Sequence, residues 1–175
     1  MSNDNRVEWT LTVDAADASV LQRAAQIRQD DEFVRKSREI TAGVNKDAGG
    51  QWNRGQEIIE YAKRMGCKTI GIAFCAGLKD EARVFADALA SHGFAVRGVA
   101  CSVDGPCNSV GQALLLNEAK TDLNILFGLC TGHDLLFLRF AEAPVLPFAV
   151  KDKVTCHNPV AALTCNYQRK RLFAN

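Results

Sequence analysis

Five of the seven cysteines in this 175-residue chain lie at or just after the ends of apolar runs that predict β-strands. Cys75, Cys101 and Cys130 end three such runs, Cys107 follows the second run, and Cys156 follows a fourth. Because the carboxyl ends of parallel strands meet at one edge of a sheet, we expect these thiols to lie close together. Thiolates bind metals and act as nucleophiles, so the spacing predicts a site for one of these two chemistries.

Metal binding is the leading hypothesis for this edge. No C-x-x-C pair is repeated, so the spacing matches no familiar zinc ribbon or ferredoxin signature. Ligands at several strand ends would instead assemble a thiolate-rich site, and the expected cofactor is a zinc ion or an iron–sulfur cluster. Asp134 and Asp152 are expected to orient a ligating histidine. The candidate ligands are Cys75, Cys101, Cys107, Cys130, His133 and His157.

Thiol catalysis is the second hypothesis, with Cys130 or Cys107 as nucleophile or redox cysteine. The run Gly-Leu-Cys-Thr-Gly at 128–132 fits a strand-to-helix turn that presents a nucleophile between two glycines. A base is available in His133, with Asp134 beside it, or in His157.

A non-catalytic module that binds a small anion is the third hypothesis. The predicted helix starts near Cys107 and Gly132 offer free backbone N–H groups and a favourable dipole. Further candidate ligand-binding residues lie at helix starts and after the fourth apolar run. They are Arg54, Asn108, Lys151 and Asp152.

The elements that must position these residues alternate along the chain. Apolar runs at 68–75, 94–101, 122–130 and 144–150 predict strands. Helical periodicity at 53–65, 80–92, 108–120 and 134–141 predicts helices around them, and Asn158 and Pro159 predict the start of a last helix. This pattern predicts a doubly wound α/β fold: a mostly parallel sheet of about four strands in a flavodoxin- or Rossmann-like three-layer sandwich.

The N-terminal third has a different pattern. Residues 7–13 alternate and predict an edge strand or an extended arm, and residues 15–40 predict a helix that Asp30 and Asp31 divide in two. Residues 42–50, rich in glycine and polar side chains, predict a loop. We expect a single domain over 1–175, in which residues 1–50 form a helical extension packed on the 51–175 core.

The composition excludes several classes of partner. Hydrophobic residues make up 47% of the chain and the net charge is +1 with no long run of one sign, which argues against nucleic acid or an acidic membrane surface. No apolar stretch is long enough to span a bilayer, and the polar N-terminus carries no signal core. We therefore expect a cytoplasmic protein that binds a small molecule or metal ion and has a sheet edge available for homodimerisation.

Several motifs resemble one family of proteins. They are Trp-Asn-Arg at 52–54, Phe-Cys-Ala-Gly-Leu at 74–78, Cys-Asn-Ser-Val-Gly-Gln-Ala at 107–113, Gly-Leu-Cys-Thr-Gly-His-Asp at 128–134 and His-Asn-Pro-Val-Ala-Ala-Leu at 157–163. Over residues 32–171 the chain resembles the domain of unknown function family DUF1847, described as predicted metal-binding without an established reaction. The resemblance implies a site built from Cys75, Cys101, Cys107, Cys130, His133, Asp134, Lys151, Asp152 and His157.

Two departures from the family pattern bear on the metal. Members of the family begin with a short cysteine-rich segment, whereas this chain has no cysteine before Cys67. If that segment supplies ligands, the resemblance implies that this chain binds a metal differently or not at all. The loop at 102–106 is also shorter than the family's usual connection, which would open the crevice or remove a lid.

Overall fold

The computed structural model of the chain describes residue 13 and residues 17–102 and 105–174. The chain divides into two compact units, Met1–Asp47 and Ala48–Asn175. The strand or arm predicted at 7–13 lies outside the described residues except for residue 13.

Two helices make up the described part of the first unit: α1, Ala18–Asp30, and α2, which begins at Glu32 and runs to Ala48. The predicted division near Asp30 and Asp31 is confirmed, because the Asp31 side chain accepts a hydrogen bond from the Val34 N–H (3.0 Å) and starts α2.

The loop predicted at 42–50 is wrong, since α2 continues to Ala48. The chain leaves the helix only at Gly49 and Gly50, whose φ angles of 51° and 75° lie in the left-handed region. Glycine adopts this region without steric cost, whereas a single glycine inside a helix, here Gly43, is tolerated.

The second unit contains a four-stranded parallel sheet with strand order β2-β1-β3-β4. Its strands are β1 (Thr69–Phe74), β2 (Ala95–Ala100), β3 (Leu123–Phe127) and β4 (Val145–Ala149). The described helices of this unit are α3 (Arg54–Met65), α4 (Lys79–Ser91), α5 (Ser109–Glu118), α6 (Thr131–Phe140), α7 (Val160–Thr164) and α8 (Asn166–Leu172). The predicted α/β fold with a four-stranded parallel sheet is confirmed.

Alternating side chains of the central strands form a core on each face of the sheet. On one face, β1 contributes Ile70 and Ile72 to a cluster that holds Ile58 of α3 and Leu89 of α4. On the other face, a second cluster combines the sheet with α5 and α6. Its members on β1, β3, α5 and α6 are Ala73, Leu126, Ala113, Leu116 and Phe137. The central strands are therefore buried on both sides, which is why their sequences are almost entirely apolar, with Asn124 of β3 as a buried polar exception.

Two helices differ from the predicted bounds. Helix α6 begins at Thr131 rather than at Asp134, so His133 and Asp134 lie in its first turn. The last predicted helix is two short ones, α7 and α8, because Cys165 between them has extended backbone angles (φ −75°, ψ 115°). Among the described residues, no helix has the length and apolar character needed to cross a membrane.

Gly71 in β1 generates the first prediction. A Cβ at this position would overlap the Asn124 amide oxygen and lie 2.9 Å from Leu116, and both neighbours are fully buried. We expect Gly71→Ala to lower the free energy of unfolding by about 1–3 kcal/mol through overpacking, measured by chemical denaturation. The matched control is Gly98→Ala in β2, where the added Cβ would make an ordinary contact with Phe74 at 3.5 Å. Equal stability losses in the two variants would contradict this account.

Asp122 generates the second prediction, because it joins the starts of β3 and β1. Its carboxylate accepts hydrogen bonds from the N–H groups of Thr69 (2.8 Å) and Lys68 (2.7 Å), which outweigh burial and hold its pKa below the ordinary 3.8. We expect Asp122→Ala to cost about 1–2 kcal/mol at neutral pH, a modest value because the carboxylate is exposed.

The effect of Asp122 also has a defined pH dependence. A carboxyl with a lower pKa in the folded state stabilises the protein at neutral pH, and this stability is lost as the pH falls through the folded-state pKa. The wild type and Asp122→Ala should therefore converge in denaturation midpoint below pH 3.8. Asp87→Ala, which removes only a surface pair with Arg83, is the control and should cost about 0.5 kcal/mol or less. A wild-type advantage that persists in acid would contradict the assignment.

Candidate functional site

The carboxyl edge of the sheet brings together four cysteines and one lysine. Cys75 and Cys101 continue the sheet past β1 and β2: the Cys75 N–H donates to the Phe127 carbonyl (3.4 Å) and the Cys101 N–H to the Phe74 carbonyl (2.9 Å). Cys130 follows β3 at the start of α6, and Lys151 follows β4. We call Cys75, Cys101, Cys107, Cys130 and Lys151 the thiol cluster.

The Lys151 ammonium contacts two of these sulfurs. Its Nζ lies 2.7 Å from Cys75 Sγ and 3.4 Å from Cys130 Sγ. Hydrogen bonding to Cys75 raises the pKa of Lys151, partly opposed by burial and reinforced by Cys130. The lysine therefore remains charged between two thiol groups.

Cys75 is the thiol most affected by this arrangement. Burial raises its pKa, since the residue is only 4% exposed, but hydrogen bonds from Lys151 and the Gly77 N–H oppose that effect. The charge of Lys151 and a hydrogen bond with Cys101 act in the same direction, and the net pKa of Cys75 lies below its ordinary value. The geometry therefore favours a buried thiolate–ammonium pair.

Cys101 and Cys107 form the other half of the thiol cluster. The Cys107 thiol donates to Cys101 Sγ at 3.6 Å, and the Ala76 N–H donates to the same sulfur at 3.4 Å. Burial raises the pKa of Cys101, and the neighbouring sulfurs of Cys107 and Cys75 add to that effect against the Ala76 N–H. The two neighbouring sulfurs therefore differ: the environment of Cys101 favours the protonated thiol, whereas that of Cys75 favours the thiolate.

Solvent exposure divides the thiol cluster into an inner and an outer layer. Cys75 and Cys101 are buried, at 4% and 5% exposure, whereas Cys107 is exposed and Cys130 is half-buried. A reactant approaching this edge therefore meets the sulfurs of Cys107 and Cys130 first.

The predicted partners of Cys130 on α6 are close in sequence, but neither side chain is hydrogen-bonded to the Cys130 sulfur among the described residues. The His133 N–H donates to the Cys130 carbonyl (2.7 Å), and His133 Nδ1 is buried without a hydrogen-bond partner in the described part of the chain. Burial raises the pKa of Asp134, although the Leu129 N–H and His133 lower it. The catalytic roles of Cys130, His133 and Asp134 remain predictions.

The segment after β4 is folded by its own side chains. Asp152 Oδ1 accepts from the Val154 and Thr155 N–H groups (2.9 and 3.2 Å), and the Asp152 N–H donates to His157 Nδ1 (3.1 Å). Because Nδ1 accepts a hydrogen bond, the neutral His157 ring carries its proton on Nε2. Asp152 and His157 thus stabilise this segment, and neither side chain is hydrogen-bonded to the thiol cluster among the described residues.

Three other predicted ligand-binding residues lie at the starts of helices α3, α5 and α6. Arg54 donates to the Pro147 carbonyl in β4 (3.3 Å) and pairs with Glu57 on its own helix (3.8 Å). Asn108 caps α5 by accepting a hydrogen bond from the Gly111 N–H (2.8 Å). Gly132 lies exposed in the first turn of α6. Binding by these residues remains a prediction.

The predicted metal ligands do not all converge. Within the described ranges, no group of three or more histidine, cysteine, aspartate or glutamate side chains is arranged to hold a metal ion. What the structure does bring together are pairs of sulfurs: Cys101 with Cys107, Cys75 with Cys101, and Cys75 with Cys130 through Lys151.

Gln112 is a site residue that the sequence reasoning missed. It is buried on α5, and its Nε2 donates to the carbonyls of Phe74 (3.1 Å) and Val99 (2.7 Å) at the ends of β1 and β2. The residue thereby fixes the strand ends from which Cys75 and Cys101 extend. The available signal was a polar amide within the apolar run at 110–116.

Comparison with known proteins identifies relatives. The uncharacterized protein MJ0455 of Methanocaldococcus jannaschii is 41% identical over 156 residues, covering 79% of this chain and 80% of that protein. Two structures of Dph2 from Pyrococcus horikoshii, one with a 4Fe-4S cluster, are 20% and 19% identical, each with a TM-score of 0.42. The matched regions cover 69% and 70% of this chain but only 33% of each Dph2 chain. A likeness at this TM-score supports no conclusion about this chain.

The family comparison covers three strands of the sheet, most of the fourth, and the four cysteines of the thiol cluster. The family model described as a protein of unknown function, DUF1847, matches residues 12–106 and 102–148. These ranges include all of β1, β2 and β3 and the cysteines that follow them. The chain belongs to the DUF1847 family.

Proposed function

We propose that the protein performs thiol chemistry at the carboxyl edge of its sheet, with the Cys75–Lys151 pair as its charged centre. The observation that carries this proposal is the Lys151 ammonium, 2.7 Å from Cys75 Sγ and 3.4 Å from Cys130 Sγ. Reactive cysteines in proteins lie beside cationic side chains and helix N-termini in partly exposed surroundings. Cys130 lies in such a place, at the start of α6, half-buried and in contact with Lys151.

The residues of the thiol cluster have different roles in this proposal. The outer sulfurs of Cys107 and Cys130 meet the reactant, and the inner Cys75 keeps a negative charge next to them. Lys151 balances that charge and so favours the thiolate form of Cys75. A thiolate, unlike a thiol, attacks disulfides and other soft electrophiles.

Binding of a thiophilic metal is a second candidate, supported by one distance. In a tetrahedral zinc–thiolate site with bonds of about 2.3 Å, neighbouring sulfurs lie about 3.8 Å apart. Cys107 Sγ and Cys101 Sγ lie 3.6 Å apart, so this pair fits two corners of such a site. Cys75 and Cys130 would have to move toward this pair to supply the other ligands, because no group of three or more such side chains is arranged to hold a metal among the described residues. Bound zinc would supply a redox-inert centre, and bound iron a redox-active one. The two candidates differ in the role of Lys151, whose ammonium supports a thiolate but competes with a metal cation.

The third prediction tests the Cys75–Lys151 pair by ultraviolet absorbance of the thiolate as a function of pH. In the wild type, subtraction of the Cys75→Ser titration should give a Cys75 midpoint below the ordinary 9.0. In Lys151→Met, burial is no longer opposed by the ammonium, and the midpoint should move upward.

The matched control for this titration is Lys153→Met, which removes an exposed lysine from the same segment and should leave the midpoint unchanged.

The Cys75–Lys151 pair should also affect stability in a pH-dependent way. Because the folded-state pKa of Cys75 lies below the unfolded value, the pair stabilises the protein at high pH. That contribution is lost as the pH falls through the folded-state pKa of Cys75. Equal midpoints in Lys151→Met and wild type would contradict the proposed function.

The fourth prediction separates thiol chemistry from metal binding by titration with Co²⁺ under anaerobic conditions. If the metal candidate is correct, sulfur-to-cobalt charge-transfer absorbance should appear, and Cys107→Ser should weaken binding by more than about tenfold, the effect of losing even an outer-shell partner. Lys151→Met should tighten binding, because a competing positive charge is gone. No charge-transfer absorbance in wild type and Lys151→Met alike would reject the metal candidate.

A further inference from the structure

The exposed Cys107 and the buried Cys101 form a second pair of sulfurs, separate from the hydrogen bonds that Lys151 makes to Cys75 and Cys130. Their Sγ atoms are 3.6 Å apart, and no cation lies between them among the contacts of the described residues. The backbone holds the two residues together, because the Asn108 N–H donates to the Cys101 carbonyl at 2.8 Å. A disulfide bond of about 2.05 Å needs only a small movement of the two sulfurs toward each other.

The accessibility of the two sulfurs gives them an order of reaction. Cys107 is exposed, whereas Cys101 is 5% exposed and its sulfur is held by the Ala76 N–H and by contact with Cys75. An external molecule can therefore reach Cys107 but not Cys101. Once a mixed disulfide has formed on Cys107, the Cys101 sulfur can attack it, because the two Sγ atoms are only 3.6 Å apart.

We propose that Cys107 and Cys101 are a dithiol pair that reduces small disulfides, with Cys107 as the entry thiol and Cys101 as the resolving thiol. This inference rests on the proposed thiol chemistry and names its substrate class. It also assigns separate roles to the outer and inner sulfurs of this half of the thiol cluster.

The exchange needs no reactant other than the protein and the substrate disulfide. The Cys107 thiolate attacks one sulfur of R–S–S–R, the substrate disulfide breaks, and the first RS⁻ leaves and takes up the proton that Cys107 lost. Cys101 then loses its proton, the resulting thiolate attacks Cys107 Sγ, the mixed disulfide breaks, and the second RS⁻ leaves and takes up a proton in turn. One substrate disulfide becomes two thiols, and two protein thiols become the Cys101–Cys107 disulfide, so two electrons pass from protein to substrate.

The fifth prediction tests this order with 2-hydroxyethyl disulfide and the full chain, followed by peptide mapping under non-reducing conditions. Wild type should end with the Cys101–Cys107 disulfide and release two molecules of mercaptoethanol for each disulfide formed. Cys101→Ser should stop at a mixed disulfide on Cys107. Its second release step should be at least about a hundredfold slower than in wild type, because a well-placed intramolecular thiol has a high effective concentration.

Two further variants complete the design. Cys107→Ser should leave Cys101 unmodified, because the buried sulfur has lost its exposed partner. Cys165→Ser removes an exposed cysteine between α7 and α8 and should behave as wild type. If Cys101→Ser does not fold, as judged by circular dichroism, a wild-type time course replaces it. That course should show the Cys107 mixed disulfide appearing before the internal disulfide.

The result that would overturn the dithiol pair is a wild-type protein that retains a mixed disulfide on Cys107, or that forms an internal disulfide between other cysteines. This failure is distinguishable from failure of the proposed function. An exchange that stops at Cys107 while the Cys75 midpoint stays low rejects the dithiol pair alone. A Cys75 midpoint at or above its ordinary value rejects the charged centre, whatever disulfide forms.

Discussion

The contact between Lys151 and Cys75 is the interaction on which the rest of the site depends. A buried thiolate is unfavourable unless a positive charge and hydrogen-bond donors offset the loss of water. Here the charge comes from the segment after β4 and the thiolate from the end of β1, two strands that are not neighbours in the sheet. The order β2-β1-β3-β4 places the end of β3, with Cys130, between them, so one ammonium contacts both sulfurs.

The strand ends could be predicted from the sequence because parallel order forces them onto one edge. Continuous apolar runs identified β1 and β3, and the cysteines that end those runs are Cys75 and Cys130. The pairing within the edge could not be predicted, because it depends on which long side chain reaches inward. Lys151 was one of several polar candidates after the fourth run, and its neighbour Asp152 instead organises its own segment.

The remaining differences arise where local patterns are weak. Glycine and polar residues at 42–50 resemble a loop, yet α2 continues until two consecutive glycines adopt left-handed angles. Gln112 was overlooked because a polar amide within an apolar run does not show which backbone groups it will contact. Its importance follows from tertiary structure, where it bonds to carbonyls of two strands at once.

Direct observation of the Cys75 ionisation state tests the central claim. The measurement is the pH dependence of the Cys75 ¹³Cβ chemical shift in the full chain labelled at cysteine, with the resonance assigned by its loss in Cys75→Ser. The thiolate–ammonium pair predicts a midpoint below the ordinary 9.0 for this one cysteine. A midpoint at or above 9.0 would show that burial outweighs Lys151 and would contradict the account.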